Sequence, residues 1–246
     1  MKHGFWKTVN DVINHSDIVI HVLDARYPAE SRNKEIEKMV RQKGRRLVYA
    51  LNKFDLVDKN DDYPKDVHPL VKVSSKTGHG FTRLKLLLKK LRPNKSEKPK
   101  VGVVGYPNVG KSSVINRLRG YGILRTSSQP GFTKGKQYVS TPHFMLIDTP
   151  GVIPQEEKDD AKHLKMVSTS MDMKDPEVAV WDLMELYPGL IENHFKVEQQ
   201  DDKEAVLEEI ARKKNWITKG NKPDTIRTAK AILQLWQDAK ITPRKY

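Results

Sequence analysis

Residues 105–113 read GYPNVGKSS and fit the spacing G-x-x-x-x-G-K-[ST], a turn able to wrap a chain of phosphates. Glycines let backbone N–H groups approach phosphate oxygens, and a helix opening directly afterwards adds the positive end of its dipole. In such a turn Lys111 reaches the outer two phosphates and the Ser112 hydroxyl is a ligand for Mg²⁺. Asn108, Val109, Gly110 and Ser113 complete the cradle.

A second group of residues has the chemistry of a base reader. In NKFD, residues 52–55, the Asp55 carboxylate can accept from both the ring N–H and the amino group of guanine. Adenine presents the wrong donor pattern and would leave a buried carboxylate unpaired, which makes the contact discriminating. Asn52 braces the turn, and the stem of Lys53 can cover one face of the base. In SSKTG, residues 74–78, Ser74, Ser75 and Lys76 are placed to hold the guanine carbonyl through backbone amides and the lysine.

Two more features belong with the phosphate turn. FMLIDTPG puts Asp148 at the tip of an apolar strand, where it suits an outer carboxylate of a Mg²⁺ site, and lets Gly151 offer an unobstructed amide to the γ-phosphate. In SSQPGFTKG, Thr133 is the residue expected to join the metal only when the γ-phosphate is present; Ser127 and Ser128 sit less well relative to the PGFT turn. Lys111, Thr133 and Gly151 are therefore the expected catalytic set.

The order along the chain is unusual. The base reader comes first, then SSKTG, the phosphate turn, Thr133 and DTPG. The usual order of motifs in a P-loop nucleoside-triphosphate hydrolase has been cut between DTPG and the base reader and rejoined through PNKSEKPK, residues 93–100. A parallel sheet tolerates this because termini and linkers lie at its surface.

The elements needed to position these loops can be read from periodicity. DIVIHVLDA is a largely apolar strand of the kind buried in a parallel sheet. A polar helix follows near residues 31–42, with Ser31 as its cap. RRLVYALNKFDL is a strand ending at the base reader, and residues 57–69 read as loop. LVKVSS is a short strand, and GFTRLKLLLKKLRP is an amphipathic helix stopped by Pro93. KVGVVG is the strand entering the phosphate turn, and KSSVINRLRG the helix leaving it, ended by Gly120. QYVST and HFMLID form a hairpin turning near Pro142. Past Pro154 the pattern is helical only, with helices over 158–173, 175–186 and two later segments; Val178, Trp181, Leu183 and Met184 mark one apolar face. The fold class expected is α/β, a P-loop domain over 1–154 followed by a small all-helical domain over 155–246.

Charge points to a partner. The 246 residues carry a formal net charge of +14. Residues 1–154 hold 29 Lys/Arg against 13 Asp/Glu, residues 155–210 hold 6 against 16, and residues 211–246 hold 10 against 2. Basic surfaces on the first domain and the tail, separated by an acidic stretch, suit a polyanion, most simply RNA. In the tail, Arg212, Lys213, Lys214, Lys219 and Lys222 surround Trp216, with Arg227, Lys230, Arg244 and Lys245 beyond, a mixture able to contact phosphate and stack on a base. The absence of cysteine excludes disulfides and thiolate metal sites. No apolar run long enough to span a membrane occurs, and the N-terminus lacks a secretory core. A cytoplasmic monomer with neither membrane nor DNA partner is the expectation.

Taken together, the chain resembles a circularly permuted Ras-like GTPase of the ribosome biogenesis GTPase A family. VLDARYPAESRN resembles that family's DAR-x-P signature ahead of the base reader, and GYPNVGKSS, PGFTKG and DTPGV match its later motifs in order. The resemblance implies binding of GTP and GDP with Mg²⁺, GTP hydrolysis, and a helical RNA-contacting tail that docks on a large ribosomal subunit precursor. In Ras-type enzymes a glutamine follows the DTPG-equivalent glycine to orient water; here Val152 stands there, which implies slow basal turnover raised by ribosome or RNA. In related K⁺-activated enzymes an asparagine at the place of Asn108 helps hold a potassium ion. The Gly-His-Met motif of bacterial relatives is missing; His3 does not match its spacing, and His15, His21 and His163 read as structural or solvent-facing. Two other readings are a GTPase of another RNA process, such as tRNA modification, and a nucleotide-gated RNA-binding module with negligible catalysis.

Overall fold

The computed structural model describes residues 2–57, 63–94, 96–106, 108–120, 137–148 and 175–242, the side chains of 2–5, 137, 138 and 148 excepted. The described chain forms two compact units, a sheet with its helices and a group of four later helices.

The sheet begins with β1 (Ile18–Asp24), every residue of which is buried, as in a strand covered on both faces. It pairs in parallel with β2 (Arg46–Asn52) on one side and β4 (Lys100–Val104) on the other. β3 (Leu70–Lys72) extends the β2 side. β6 (Met145–Asp148) lies parallel beyond β4, and β5 (Gln137–Ser140) is antiparallel at the far edge. The order is β3-β2-β1-β4-β6-β5. From β1 the chain adds β2 and β3 outward on one side; from β4 it goes to the opposite side, first to the edge strand β5 and then back to β6 beside β4. The loops leaving β1 and β4 therefore open a crevice at the carboxyl edge of the sheet, the place where open α/β sheets bind ligands. The strand entering the phosphate turn is central although it comes fourth, as the reordered motifs require.

Helix α1 (Lys2–His15) was not anticipated from the sequence. Its Val9, Val12 and Ile13, with Trp6, pack beside α2 (Lys34–Gln42) over Val19 and Val104. α1 lies so close to β4 that a Cβ on Gly102 would meet Ser16 Oγ at 2.2 Å and Val12 Cγ1 at 2.5 Å. The signal was present as apolar residues three or four apart, diluted by polar ones. The cap of α2 is Asn33, whose side chain accepts from the Ile36 amide at 3.0 Å, not Ser31. Ser31 is buried and instead donates to the Tyr27 carbonyl and accepts from the Asp24 amide. On the remaining connections, α3 (Phe81–Lys90) follows β3 and packs against α4 (Lys111–Arg119), which leaves the phosphate turn.

The second unit contains α5 (Pro176–Leu186), α6 (Leu190–Phe195), α7 (Lys203–Lys213) and α8 (Thr225–Gln237). Its core holds Ala179, Val180, Leu183, Leu207, Ile210, Ile232 and the fully buried Trp236. On α5 the buried stripe is Ala179, Val180, Leu183 and Met184; Val178 and Trp181 are only half-buried, so the apolar face is rotated from the expected one. Between α7 and α8 a tight ribbon closes through the Ile217–Pro223 bridge and the Thr218 amide on the Lys222 carbonyl, 2.8 Å. The expected helix over 158–173 lies outside the described residues.

Candidate nucleotide site

The site is built where β1, β2, β3 and β4 end. Asn52, the last residue of β2, is almost fully buried and ties three loops together. Its Nδ2 donates to the Val109 carbonyl of the phosphate turn at 2.9 Å. Its Oδ1 accepts from the Ser75 amide at 3.1 Å and the Ser75 hydroxyl at 2.9 Å. Three further bonds fasten the phosphate turn and its helix, two of them to the SSKTG loop and one to the start of α2. Arg117 on α4 donates to the Ser75 and Lys76 carbonyls, both at 2.7 Å, and Asn33 donates to the Tyr106 hydroxyl at 2.8 Å. Residues about fifty positions apart thus form one surface. Of these bridges only the brace at Asn52 was expected; Arg117 and Asn33 were missed because nothing local marks a side chain that reaches across a fold.

The phosphate turn has the geometry of a tight strand-to-helix loop. Gly110 adopts φ +91°, and a Cβ there would meet Asn52 Nδ2 at 2.4 Å. Glycine is thus demanded by both conformation and space. Asn108 is exposed with φ +59°. Val109 is buried, and Ser112 and Ser113 are exposed in the first turn of α4. Lys111 donates from Nζ to the Tyr106 carbonyl, so the ammonium arches over its own loop. Burial lowers its pKa to about 8. A polyphosphate beside it would supply the missing counter-charge.

In the base-reading turn, residues 54–56 form a single 3₁₀ turn, and the Asp55 carboxylate accepts from the Ser74 hydroxyl at 2.6 Å. Ser74 Oγ in turn accepts from the Thr77 amide at 3.1 Å. The amides of Ser74, Ser75, Thr77 and Gly78 all have protein acceptors. Among the described residues of this loop, the Lys76 amide is the donor left to meet a ligand carbonyl. Lys53 has φ +62°, and its ammonium lies on the buried carboxylate of Asp24 at 2.8 Å. Burial alone would raise the Asp24 pKa, but Arg26 and Lys53 outweigh it and hold it at about 2.

β6 ends at Asp148 on the same edge of the sheet, one strand from the phosphate turn. Thr133, Gly151 and Val152 lie outside the described residues, as do Ser127 and Ser128. His15 is exposed and His21 fully buried; His163 also lies outside. His21 stands against Tyr49 with ring centroids 5.8 Å apart and has no hydrogen-bond partner among the described residues. Burial lowers its pKa to about 4, with the Glu37 carboxylate 4.0 Å away opposing the shift.

In the tail ribbon, Arg212, Lys213, Lys214, Lys219 and Lys222 are exposed around a half-buried Trp216. The Arg227 guanidinium lies over that indole, 5.7 Å from its centroid, and Lys230 is exposed on the same helix. Arg244 and Lys245 lie outside the described residues.

Comparisons with known proteins agree with this architecture. A family model described as "50S ribosome-binding GTPase" matches residues 100–222, half of the chain. An uncharacterised GTP-binding protein of Methanocaldococcus jannaschii is 37% identical over 96% of this chain and 65% of its own length. Nucleolar GTP-binding protein 2 of Neurospora crassa is 33% identical over 96% of this chain and 40% of its own length; nuclear/nucleolar GTPase 2 of Oryza sativa is 34% identical over 96% and 47%. The chain therefore spans between two-fifths and two-thirds of the length of these relatives. The crystal structure of GNP-bound YlqF from T. maritima superposes with a TM-score of 0.66 at 21% identity, covering 96% of this chain and 94% of that one. The fold is thus that of a circularly permuted GTPase, an α/β P-loop domain with helices after it. With its phosphate turn inside the matched half and its strands in the permuted order, the chain belongs to the 50S ribosome-binding GTPase family.

Proposed function

We propose that this chain binds GTP, hydrolyses it to GDP and phosphate, and uses that cycle to time its stay on a large ribosomal subunit precursor. One observation carries the reading: Asn52 of the base-reading turn bonds at once to the phosphate turn and to the SSKTG loop, giving a single crevice for purine and phosphates. The relatives, nucleolar GTP-binding proteins among them, favour ribosome assembly over another RNA process such as tRNA modification.

Within that reading the residues divide the work. Asp55, oriented by Ser74, takes the two donor edges of guanine, and the Lys76 amide meets its carbonyl. Asn52 holds the loops at a fixed separation. The turn amides near Asn108, Val109 and Gly110, and the opening turn of α4 with Ser113, face the phosphates, and Lys111 leaves the Tyr106 carbonyl for them. The Ser112 hydroxyl, exposed at the start of α4, and the carboxylate that ends β6 at Asp148 are hard oxygen donors of the type Mg²⁺ takes. When bound, Mg²⁺ supplies charge neutralisation between the outer phosphates. Thr133 and Gly151 are assigned to sense the γ-phosphate. Asn108, exposed and left-handed, is assigned to a potassium ion. Val152 cannot accept a hydrogen bond from water, so basal turnover is slow and rises on RNA or ribosome. The exposed cations around Trp216 are the assigned RNA contact, and the protein works as a cytoplasmic monomer; the names of its eukaryotic relatives place those proteins in the nucleolus.

Sedimentation with large ribosomal subunits, with a non-hydrolysable GTP analogue and with GDP, tests the reading. Retention with the analogue and release with GDP, accompanied by faster phosphate release on subunits, is the expected result. Retention unaffected by nucleotide, or turnover that subunits do not change, would overturn it. Equal rates in K⁺ and Na⁺ would remove the potassium assignment.

A further inference from the structure

The DAR turn after β1 has no role in the reading above, yet it holds a fully buried carboxylate paired with two cations. Asp24 is fully buried. Its Oδ1 accepts from Arg26 Nε at 3.0 Å and from the Arg26 amide at 3.1 Å, and its Oδ2 from Arg26 Nη2 at 2.9 Å and Lys53 Nζ at 2.8 Å. Arg26 is buried too and also donates to the Tyr27 hydroxyl at 3.1 Å. Two cations on one buried anion would leave an uncompensated charge. The Asp55 carboxylate also acts on Lys53, its field favouring the charged ammonium. The sequence runs carboxylate, two cations, carboxylate, and ends on the base reader.

The backbone repeats the connection. Asp24 is in register with Asn52, and the Ala25 amide donates to the Asn52 carbonyl at 2.8 Å. On the other side of Lys53, the Phe54 amide donates to the Val73 carbonyl at 3.1 Å. Lys53 between them is left-handed at φ +62°, a conformation that costs a residue with a Cβ and persists only where its surroundings impose it.

We propose that Asp24 is a positioning residue for guanine recognition: oriented by Arg26, it anchors the Lys53 ammonium, locks Lys53 in its left-handed turn, and so lays the lysine stem along the purine and aims Asp55. This rests on the guanine-nucleotide reading of the site. Its consequence is that a residue some thirty positions before the base reader and not facing the nucleotide helps set base affinity, acting through Lys53 alone.

A double-mutant cycle on GDP affinity tests it, using the full chain with Asp24→Asn, Lys53→Met and the pair, and ADP as the comparator nucleotide. Each single variant is expected to bind GDP about tenfold more weakly, within the coupling range of contacting groups. In the Lys53→Met background, Asp24→Asn is expected to change GDP affinity less than twofold. An equal loss from Asp24→Asn in both backgrounds would show a merely structural role and overturn the proposal. If Asp24→Asn fails to fold, Asp24→Glu keeps the charge while moving the carboxylate by one methylene; a tenfold loss that vanishes in the Lys53→Met background supports the proposal, and a loss independent of Lys53 refutes it. Parent protein binding GDP and ADP alike is a separate outcome: it overturns the guanine reading itself and removes the ground of this proposal.

Discussion

Replacing Asn52 with alanine deletes three hydrogen bonds at one point: the donor to the Val109 carbonyl and the acceptor of both the Ser75 amide and hydroxyl. At roughly 1 kcal/mol net for each, the loss is about 3 kcal/mol. Val109 is fully buried, so its carbonyl bears the desolvation penalty; Ser75 is half-buried, and water can replace part of what it loses. A change of about 3 kcal/mol is roughly 150-fold in an opening equilibrium. Amide hydrogen exchange in β1, β2 and β4 reads that equilibrium for the sheet unit alone, without contributions from the later helices. Two companion variants separate the contributions. Ser75→Ala removes one bond and should cost about 1 kcal/mol. Asn52→Asp keeps the oxygen that accepts both Ser75 donors but sets a carboxylate against the Val109 carbonyl, and should fall between the other two or below alanine at neutral pH. An Asn52→Ala protein within about 0.5 kcal/mol of the parent, the range of an ordinary surface change, would refute the idea that this side chain holds the loops together.

His21, held neutral with its pKa lowered to about 4, contributes stability that is complete above its unfolded value near 6.5 and is lost as pH falls through 4. Parent protein should therefore lose about 3 kcal/mol over that window relative to His21→Phe, compared by denaturant titration at pH 7 and pH 4. Lys111, lowered to about 8, must carry its proton to hold phosphates, and above pH 8 it loses that proton in the empty site. GDP affinity should be flat below pH 8 and fall by up to about tenfold per unit above it, measured with a fluorescent nucleotide, while a Lys111→Arg variant shows no such decline. Gly102→Val would force α1 off β4 against Ser16 and Val12; about 2 kcal/mol of stability should be lost and limited proteolysis should cut within α1 earlier than in the parent.

What the sequence disclosed was set by how local each signal is. β1 is a run of seven buried residues bounded by polar ones, and the phosphate turn is fixed by glycine, lysine and serine spacing, so both are visible in a single chain. The reordered motifs imply the order of strands because each loop must reach the same edge of one sheet. Side chains that act across the fold are different. Ser31 looks like a helix cap but is drawn inward by the Asp24 amide, leaving Asn33 to cap α2. The family signature flagged Asp24 and Arg26 without a role; only the fold shows that their target is Lys53. Arg117 lies in a helix whose pattern marks just its apolar face, so its reach to Ser75 and Lys76 left no trace. α1 was missed because Trp6, Val9, Val12 and Ile13 are spread among polar residues, and what decides their burial is the space over Gly102.

The central claim is that Asp55 reads guanine in a crevice shared with the phosphate turn. An asparagine at position 55 would keep one acceptor and replace the other with an N–H donor, matching xanthine, which has a carbonyl where guanine has its amino group. Titration of GDP, ADP and XDP against the parent and Asp55→Asn is the direct test. The account requires GDP to be favoured over ADP by the parent, and XDP over GDP by the variant. ADP bound by the parent as well as GDP, or a nucleotide preference that Asp55→Asn leaves unchanged, would contradict it.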